Sequence, residues 1–182
     1  MKTSILASAL LASVCLSPVV HADFKEGDKL QTLTNLHPDV ARRQLYTMNY
    51  QQPGLIPVCS DVTVKKISGK EMVFDYQGVE YSYEYEKYTK GAGVSFQAAL
   101  ETAFGPACDK AKIGKLSQAD QEGIRSGKPR VGMTKDGIYF ALGRPPQHAN
   151  PSLDVSSWLY WENRFGKMGI DFDDKGKVVG IR

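Results

Sequence analysis

The sequence predicts an α+β protein built from two units, and three observations lead to this fold class. Residues 62–85 alternate between apolar and polar side chains, which is the two-residue period of β-strands. A segment with the apolar spacing of a helix follows them. Residues 117–182 then contain two capped helices and three strand segments, an order in which helices pack on one face of an antiparallel sheet.

The composition is that of a globular protein, and it limits the classes of partner. Of the 182 residues, 42% are hydrophobic and 24% are charged, which excludes a wholly disordered chain. The formal net charge is only +3, whereas nucleic-acid-binding domains carry a dense basic face, so we expect no nucleic-acid partner. No phosphate-binding, dinucleotide-binding or nucleophile-elbow motif occurs, so we expect no cofactor and no enzymatic activity.

Residues 1–22 are predicted to be an export signal. Lys2 provides the positive start, and the apolar run at 5–14 has the length of a signal-peptide core but is too short to span a bilayer. Small residues stand where signal peptidase reads the chain, so we expect the mature protein to begin at Asp23. Cys15 follows a β-branched residue and is not in a lipobox. The expected location is the periplasm, with no transmembrane segment after cleavage.

Cys59 and Cys108 remain in the predicted mature chain. An even pair of cysteines in an exported protein is interpreted first as a disulfide, because the compartment is oxidising. The alternatives are a nucleophilic Cys59 paired with His37 or His148, and a zinc site. Neither histidine lies in a recognisable catalytic motif, and no C-x-x-C or H-x-x-x-H spacing is present, so we predict the disulfide and no metal.

The first mature unit, residues 23–108, is predicted to be a small antiparallel β-meander with a helix, an arrangement similar to SH3-like modules. His37 precedes a proline and is interpreted as a surface turn residue, and the next residues, 39–48, are expected to form a short helix. A second helix is predicted at 94–104, where it ends before Gly-Pro. Three strands joined by glycine-containing turns complete the unit: 62–67, 71–76 and 79–85.

A row of tyrosines occupies one face of the third predicted strand. Tyr81, Tyr83 and Tyr85 alternate with polar and acidic residues. Such a row can bind a glycan or a protein, but it also suits a half-buried strand, because the ring packs while the hydroxyl reaches water. We favour the core interpretation, since the opposite face is already polar.

Residues 109–116 are predicted to be a linker, and 117–182 form the second unit. Ser117 and Thr134 are predicted N-caps of two helices. Gly137, early in the second helix, is expected to cost up to about 1 kcal/mol compared with a better helix former. Three strands are predicted to follow the helices: 158–162, 167–172 and 177–181.

Four short motifs occur in order in this second unit. They are Gly132-Met133-Thr134, ALGRPP at 141–146, WLYW at 158–161 followed by Asn163-Arg164-Phe165, and FDDKGKV at 172–178. Together they resemble the SmpA/OmlA domain, the fold of the outer-membrane assembly factor BamE, over roughly residues 113–182. The resemblance implies a BamE-like α-α-β-β-β fold. It also implies a non-enzymatic protein of the cell envelope, linked to outer-membrane protein assembly or envelope integrity.

The same resemblance implies a protein partner in the envelope and a peripheral association with the outer membrane. Trp, Tyr and Arg dominate interface hot spots, so we select the motif residues of these types together with the turn before the second helix. In the predicted strand, Trp158 and Tyr160 share one face and Trp161 lies on the other. We expect the face that is not under the helices to contact the partner or the first unit; the alternative is that the aromatic side chains of both faces are core residues. The candidate interaction residues are Gly132, Met133, Thr134, Arg144, Trp158, Tyr160, Trp161 and Arg164.

A second function remains open from the sequence. The same layout of helices and sheet is similar to that of β-lactamase inhibitory proteins. The alternative to an envelope assembly role is therefore a periplasmic inhibitor or ligand-binding protein.

Overall fold

The computed structural model describes residues 23–182, so the predicted export signal lies outside the described residues. The fold is α+β, as the sequence predicts. The first unit contains six strands and two helices. Its elements are β1 (Lys29–Thr32), β2 (Gln44–Tyr46), β3 (Asp61–Ile67), β4 (Glu71–Tyr76), β5 (Val79–Glu84), α1 (Lys87–Gly91), α2 (Phe96–Ala103) and β6 (Phe104–Gly105).

The six strands form one sheet in the order β2-β5-β4-β3-β1-β6. The antiparallel meander predicted from the sequence is its centre, where β4 pairs with β3 on one side and with β5 on the other. β1 and β6 extend the sheet beyond β3, and β2 pairs parallel to β5 at the opposite edge. The sheet is therefore larger than the predicted three-stranded meander.

The predicted helix at 39–48 is wrong. Asp39 and Gln44 exchange backbone hydrogen bonds of 2.9 and 3.2 Å that close a turn, and Arg43 within it has a φ of 53°. The chain then runs as β2, where Leu45 is buried and pairs with Tyr83 of β5. The partner strand lies almost forty residues further along the chain, and a local helix signal does not include such long-range pairing.

The core of the first unit lies between this sheet and α2. Phe74, Leu100 and Phe104 are almost completely buried there. The tyrosine row of β5 faces this core: Tyr83 is buried, and Tyr81 and Tyr85 pack against the same cluster. Helix α2 begins after Ser95, whose hydroxyl accepts a hydrogen bond from the N–H of Ala98, close to the start that its apolar spacing predicts.

The predicted disulfide between Cys59 and Cys108 is present, with a Cα–Cα distance of 5.3 Å. Cys59 lies just before β3, and its N–H donates to the carbonyl of Thr32 in β1. Cys108 follows β6, and its N–H donates to the side chain of Gln31 in β1. The bridge therefore fastens the chain that leaves the first unit to the edge of the sheet.

The second unit begins within the segment 109–116, which was predicted as a linker and contains a short helix. Three helices and three strands make up this part of the chain. They are α3 (Lys110–Gly114), α4 (Gln118–Ser126), α5 (Lys135–Leu142), β7 (Ser157–Trp161), β8 (Lys167–Phe172) and β9 (Val178–Ile181). The strands form an antiparallel sheet in the order β7-β8-β9, and its core is shared with α4 and α5.

The predicted caps of α4 and α5 are confirmed. Ser117 and Asp120 form a reciprocal capping box at the start of α4, and Gly127 ends that helix with a φ of 63°. The hydroxyl of Thr134 accepts a hydrogen bond from the N–H of Gly137 at the start of α5. Both helices therefore begin where the sequence predicts.

A fully buried carboxylate, that of Asp120, joins the two helix starts. Its Oδ2 accepts from the N–H of Ser117 at 3.2 Å, and its Oδ1 accepts from the N–H of Thr134 at 2.7 Å. A Cβ atom on Gly137 would lie 1.8 Å from this Oδ1. Only glycine leaves room for this carboxylate, so the better helix formers that propensity favours do not fit at this position.

The two units meet at the C-terminal end of α5. The last carbonyl groups of a helix have no hydrogen-bond donor within the helix. For α5, side chains of the first unit are the donors. Asn35 donates to the carbonyl of Ala141 at 3.2 Å, and Asn49 and Gln51 donate to that of Leu142 at 2.8 and 3.1 Å. Hydrogen bonds to buried acceptors therefore connect the units.

His37 belongs to the same contact and is not a surface residue. It is 6% exposed, and its Nε2 lies 2.9 Å from the carbonyl oxygen of Ala141. Burial lowers the pKa of His37, and its hydrogen bond to Ala141 opposes that shift. The prediction of a surface turn residue failed because the covering element, α5, lies about a hundred residues away in the chain.

Candidate functional site

Three of the predicted interaction residues are core residues. Met133, Trp158 and Tyr160 are each at most 2% exposed. The Tyr160 hydroxyl donates to the carbonyl of Gly143 at 2.8 Å, and the indole N–H of Trp158 donates to that of Leu153 at 3.2 Å. Their polar groups are satisfied inside the second unit, so these side chains stabilise the fold and present no surface to a partner.

Two more predicted residues, Gly132 and Thr134, lie in the turn between α4 and α5. The N–H of Gly132 donates to the carbonyl of Val178 at 2.8 Å, which docks the turn on β9. Thr134 caps α5 and donates through its N–H to the carboxylate of Asp120. The Gly-Met-Thr motif therefore joins the helical hairpin to the sheet.

The remaining candidates, Trp161, Arg164 and Arg144, lie where the two units meet. Trp161 is half-buried on the face of β7 opposite to Trp158 and Tyr160, as the strand alternation predicts. Its carbonyl accepts a hydrogen bond from the N–H of Gln51 in the first unit, at 2.8 Å. The edge of β7 at Trp161 thus contacts the first unit, and the Trp161 side chain is accessible in part.

Aromatic rings from both units lie at the junction. We call this group the junction aromatic surface, and it consists of Tyr46, Tyr50, Tyr88, His148, Trp161 and Phe165. The ring of Tyr88 stacks on His148 with centroids 5.6 Å apart, and His148 lies 5.0 Å from Trp161. Because Tyr88 belongs to α1 and Trp161 to β7, this stack crosses from one unit to the other.

Cations border the rings. The ammonium of Lys87 lies 5.0 Å from the centroid of Tyr88, and that of Lys167 lies 5.5 Å from Trp161. Both distances are within the range of cation–π attraction. Arg164 is exposed and lines a concavity together with Phe165. Asp39 and Glu86 line the same concavity, so the surface combines aromatic rings with charges of both signs.

The most exposed ring is that of Phe165, which is 92% accessible in the turn between β7 and β8. The side chain of Asn163 accepts the N–H of Phe165 at 2.8 Å and so holds this turn. A concavity of about 270 Å³ lies beside it, bordered by Tyr46 and Tyr50. Tyr88 is also exposed, at 49%. Phe165 and Tyr88 are thus two exposed rings of the junction aromatic surface.

Tyr46 and Tyr50 form the inner edge of this surface. Their rings make an edge-to-face pair with centroids 5.7 Å apart. Burial raises the pKa of both phenols, and the nearby Glu86 adds to the rise at Tyr50. These hydroxyls are thus neutral hydrogen-bonding groups at neutral pH.

Arg144 lies on the inner side of the junction, where it lines a cavity of about 260 Å³ between the units. The cavity borders the junction aromatic surface, because Tyr46 and Tyr50 line both. Burial raises the pKa of Tyr139 in α5, while the adjacent Arg144 lowers it through its charge and a side-chain hydrogen bond. Arg144 therefore does not share the exposed position of Arg164.

Sequence reasoning selected Trp161 of this surface and Arg164 beside it, but none of the other rings. Phe165 stood in the quoted Asn-Arg-Phe motif, and its apolar ring in a polar turn was an available signal. Tyr88 and His148 had no local signal, because their stacking depends on how the units meet. The structure thus brings together two predicted residues and several that sequence spacing could not connect.

Within residues 23–182, no group of three or more His, Cys, Asp or Glu side chains is placed to hold a metal ion. No helix of this part of the chain is long and apolar enough to cross a membrane. Comparison with known proteins adds no relative: no family model, no curated protein and no solved structure matches the chain.

Proposed function

We propose that this chain is an exported, non-enzymatic protein of the cell envelope that binds a protein partner through the junction aromatic surface. The observation that carries the proposal is the stack of Tyr88, His148 and Trp161 across the two units, with the exposed Phe165 beside it. Aromatic residues and arginine are enriched at the hot spots of protein interfaces, because they bury a large area and also form directional polar contacts.

The geometry of the surface supports binding by a preformed site. The capped end of α5 fixes the orientation of the units, and the stacked rings lose little side-chain entropy when a partner covers them. Lys87, Arg164 and Lys167 lie around the rings together with the carboxylates of Asp39 and Glu86, so the surface offers charges of both signs to a partner.

Three further observations support the location and the class. The disulfide between Cys59 and Cys108 suits an oxidising compartment. The export signal predicted at 1–22 directs the chain to the periplasm. The motif order of the second unit resembles that of the SmpA/OmlA domain, which favours an envelope partner linked to outer-membrane protein assembly.

The test is photo-crosslinking in the native cell envelope. A benzophenone amino acid replaces Phe165 in one protein and Val131 in a matched control. Val131 is also an exposed apolar residue, at 66%, but it lies in the turn between α4 and α5 and outside the junction aromatic surface. We expect the probe at 165, and not the one at 131, to capture a component of the outer-membrane assembly machinery.

Variants then connect capture to the surface. We expect Phe165→Ser and Tyr88→Ala to reduce capture from a probe at Arg164 at least tenfold, while the thermal unfolding midpoint stays within about 2 °C of the wild type, since exposed side chains contribute little to stability. Capture of one periplasmic enzyme, with inhibition of its activity, would favour the inhibitor alternative. Equal capture from positions 165 and 131 would refute binding at this surface.

A further inference from the structure

We propose that the cavity between the two units binds a small organic carboxylate, and that Arg144 is the group that binds its carboxylate. This site is distinct from the exposed rings of the junction aromatic surface. Its walls come from β2 and β5, from α1 and α2, and from the loop that follows α5. Neither unit forms the cavity alone.

The charge of the walls selects an anion. Among the residues that the structure describes, Arg144 is the one arginine that lines the cavity, and no aspartate or glutamate lines it. Among the ion pairs of residues 23–182, none includes Arg144, whose side chain hydrogen-bonds to the phenol of Tyr139, so no carboxylate of these residues neutralises its charge. A planar guanidinium matches the two oxygens of a carboxylate, and partial burial strengthens such a contact.

The other lining residues favour a ligand that is small and partly apolar. Leu36, Leu45 and Ala99 provide apolar wall, and Thr34, Thr89 and Thr102 provide hydroxyl groups. A volume of about 260 Å³ lies just below the roughly 300–1,000 Å³ of pockets for drug-sized ligands. A single-ring or short-chain acid is the class that these walls accommodate.

The loop that carries Arg144 is held in place from the first unit. Asn49 donates one amide to the carbonyls of Leu142 and Arg144, each at 2.8 Å. Gly143 between them passes close to the first unit, since a Cβ there would lie 3.0 Å from the Asn49 amide nitrogen and 3.2 Å from the hydroxyl oxygen of Thr34. The backbone around the cavity is therefore preorganised, which lowers the entropic cost of binding.

The experiment uses the mature protein with its disulfide intact and two probe acids, phenylacetate and octanoate. Phenylacetamide, which has the same ring but no charge, is the matched control ligand. Isothermal titration calorimetry measures affinity, and two-dimensional NMR follows the backbone amides of Thr34 and Gly143. We expect saturable binding of at least one acid, shifts at both amides, and affinity at least tenfold weaker for phenylacetamide wherever phenylacetate binds.

Arg144→Gln is the principal variant, and Arg164→Gln is its matched control, because Arg164 is exposed on the neighbouring surface. Loss of a charged hydrogen-bond pair corresponds to a tenfold or greater loss of affinity. We expect a loss of this size for Arg144→Gln and a change in affinity below about twofold for Arg164→Gln. If Arg144→Gln unfolds, Arg144→Lys replaces it, since a lysine keeps the charge but loses the planar fork.

Three results would overturn the proposal. The first is the absence of saturable binding by both acids to the wild-type protein. The second is equal affinity for phenylacetate and phenylacetamide, and the third is unchanged acid affinity in the folded Arg144 variant. None of these results bears on the partner surface, which is tested through Phe165 and Tyr88. The two proposals can therefore fail separately.

Discussion

Replacement of Gly137 by alanine tests the packing of the helical hairpin against simple helix propensity. In an unconstrained helix interior, alanine would stabilise by roughly 1 kcal/mol. Here the added Cβ would lie 1.8 Å from Oδ1 of Asp120, whereas an ordinary contact is 3.4–4 Å. Asp120 would have to retreat by more than 1 Å, and its 2.7 Å hydrogen bond from the N–H of Thr134 would break.

The expected size of the effect follows from these opposing contributions. A hydrogen bond to a charged group contributes about 1.5–3 kcal/mol, and overpacking of a filled site costs about 1–3 kcal/mol. After subtraction of the propensity gain of roughly 1 kcal/mol, we expect Gly137→Ala to lower the free energy of unfolding by about 1.5–5 kcal/mol. Urea denaturation followed by tryptophan fluorescence measures this difference, because Trp158 lies in the affected core.

Two controls define the cause. Gly114→Ala changes a helical glycine with open space around it, so we expect a change within about 0.5 kcal/mol or a small gain in stability. In an Asp120→Ala background the contact with Oδ1 is gone and only the Cβ of residue 120, at 2.9 Å, still lies close to the added Cβ. Gly137→Ala should therefore cost less there than in the wild type, and the difference is the coupling energy of the double-mutant cycle. A wild-type or higher stability of the single Gly137→Ala variant would refute the reasoning.

Three further predictions concern acid stability, the disulfide and export. Because burial lowers the pKa of His37 from 6.5, the unfolded chain binds this proton more readily than the native protein, so stability should be full above pH 6.5 and decline below it. Urea titrations at several pH values should show that the free energy of unfolding declines less with falling pH in His37→Gln than in the wild type. An identical decline would mean that groups other than His37 cause it. Replacing Cys59 or Cys108 by serine should lower the free energy of unfolding by roughly 2–5 kcal/mol. Two free thiols in the wild-type protein, together with serine variants as stable as the wild type, would contradict the bridge. Mass spectrometry of the exported protein should find Asp23 at the N-terminus, whereas a diacylated Cys15 would show a lipoprotein.

Local signals predicted those elements whose stability is decided locally. The alternation and glycine turns of β3 to β5 and the caps Ser117 and Thr134 are visible within a few residues, and the structure has them close to the expected positions. Strand β2 was missed because its pairing is with a distant strand. Gly137 was misjudged because propensity does not include the carboxylate of another helix.

The same distinction applies to the candidate site. Strand alternation correctly placed Trp161 on the face opposite to Trp158 and Tyr160, but it could not tell which face is buried. The answer depends on the side of the sheet that α4 and α5 cover. The cavity beside Arg144 and the stack of Tyr88 on His148 arise only when the units meet, so no pattern within one segment contains them.

The polar cap on α5 also determines how this molecule can be divided or recombined. A fragment of residues 117–182 would keep an apolar core of its own but would lose Asn35, Asn49 and Gln51 from its helix end. Joining it to an unrelated N-terminal module would leave buried carbonyls without donors, at about 1–3 kcal/mol for each acceptor that water does not reach. The second unit is therefore a poor candidate for domain shuffling or grafting. The second unit needs the first one for hydrogen-bond donors as well as for apolar contact, and these donors lie more than ninety residues upstream in the chain.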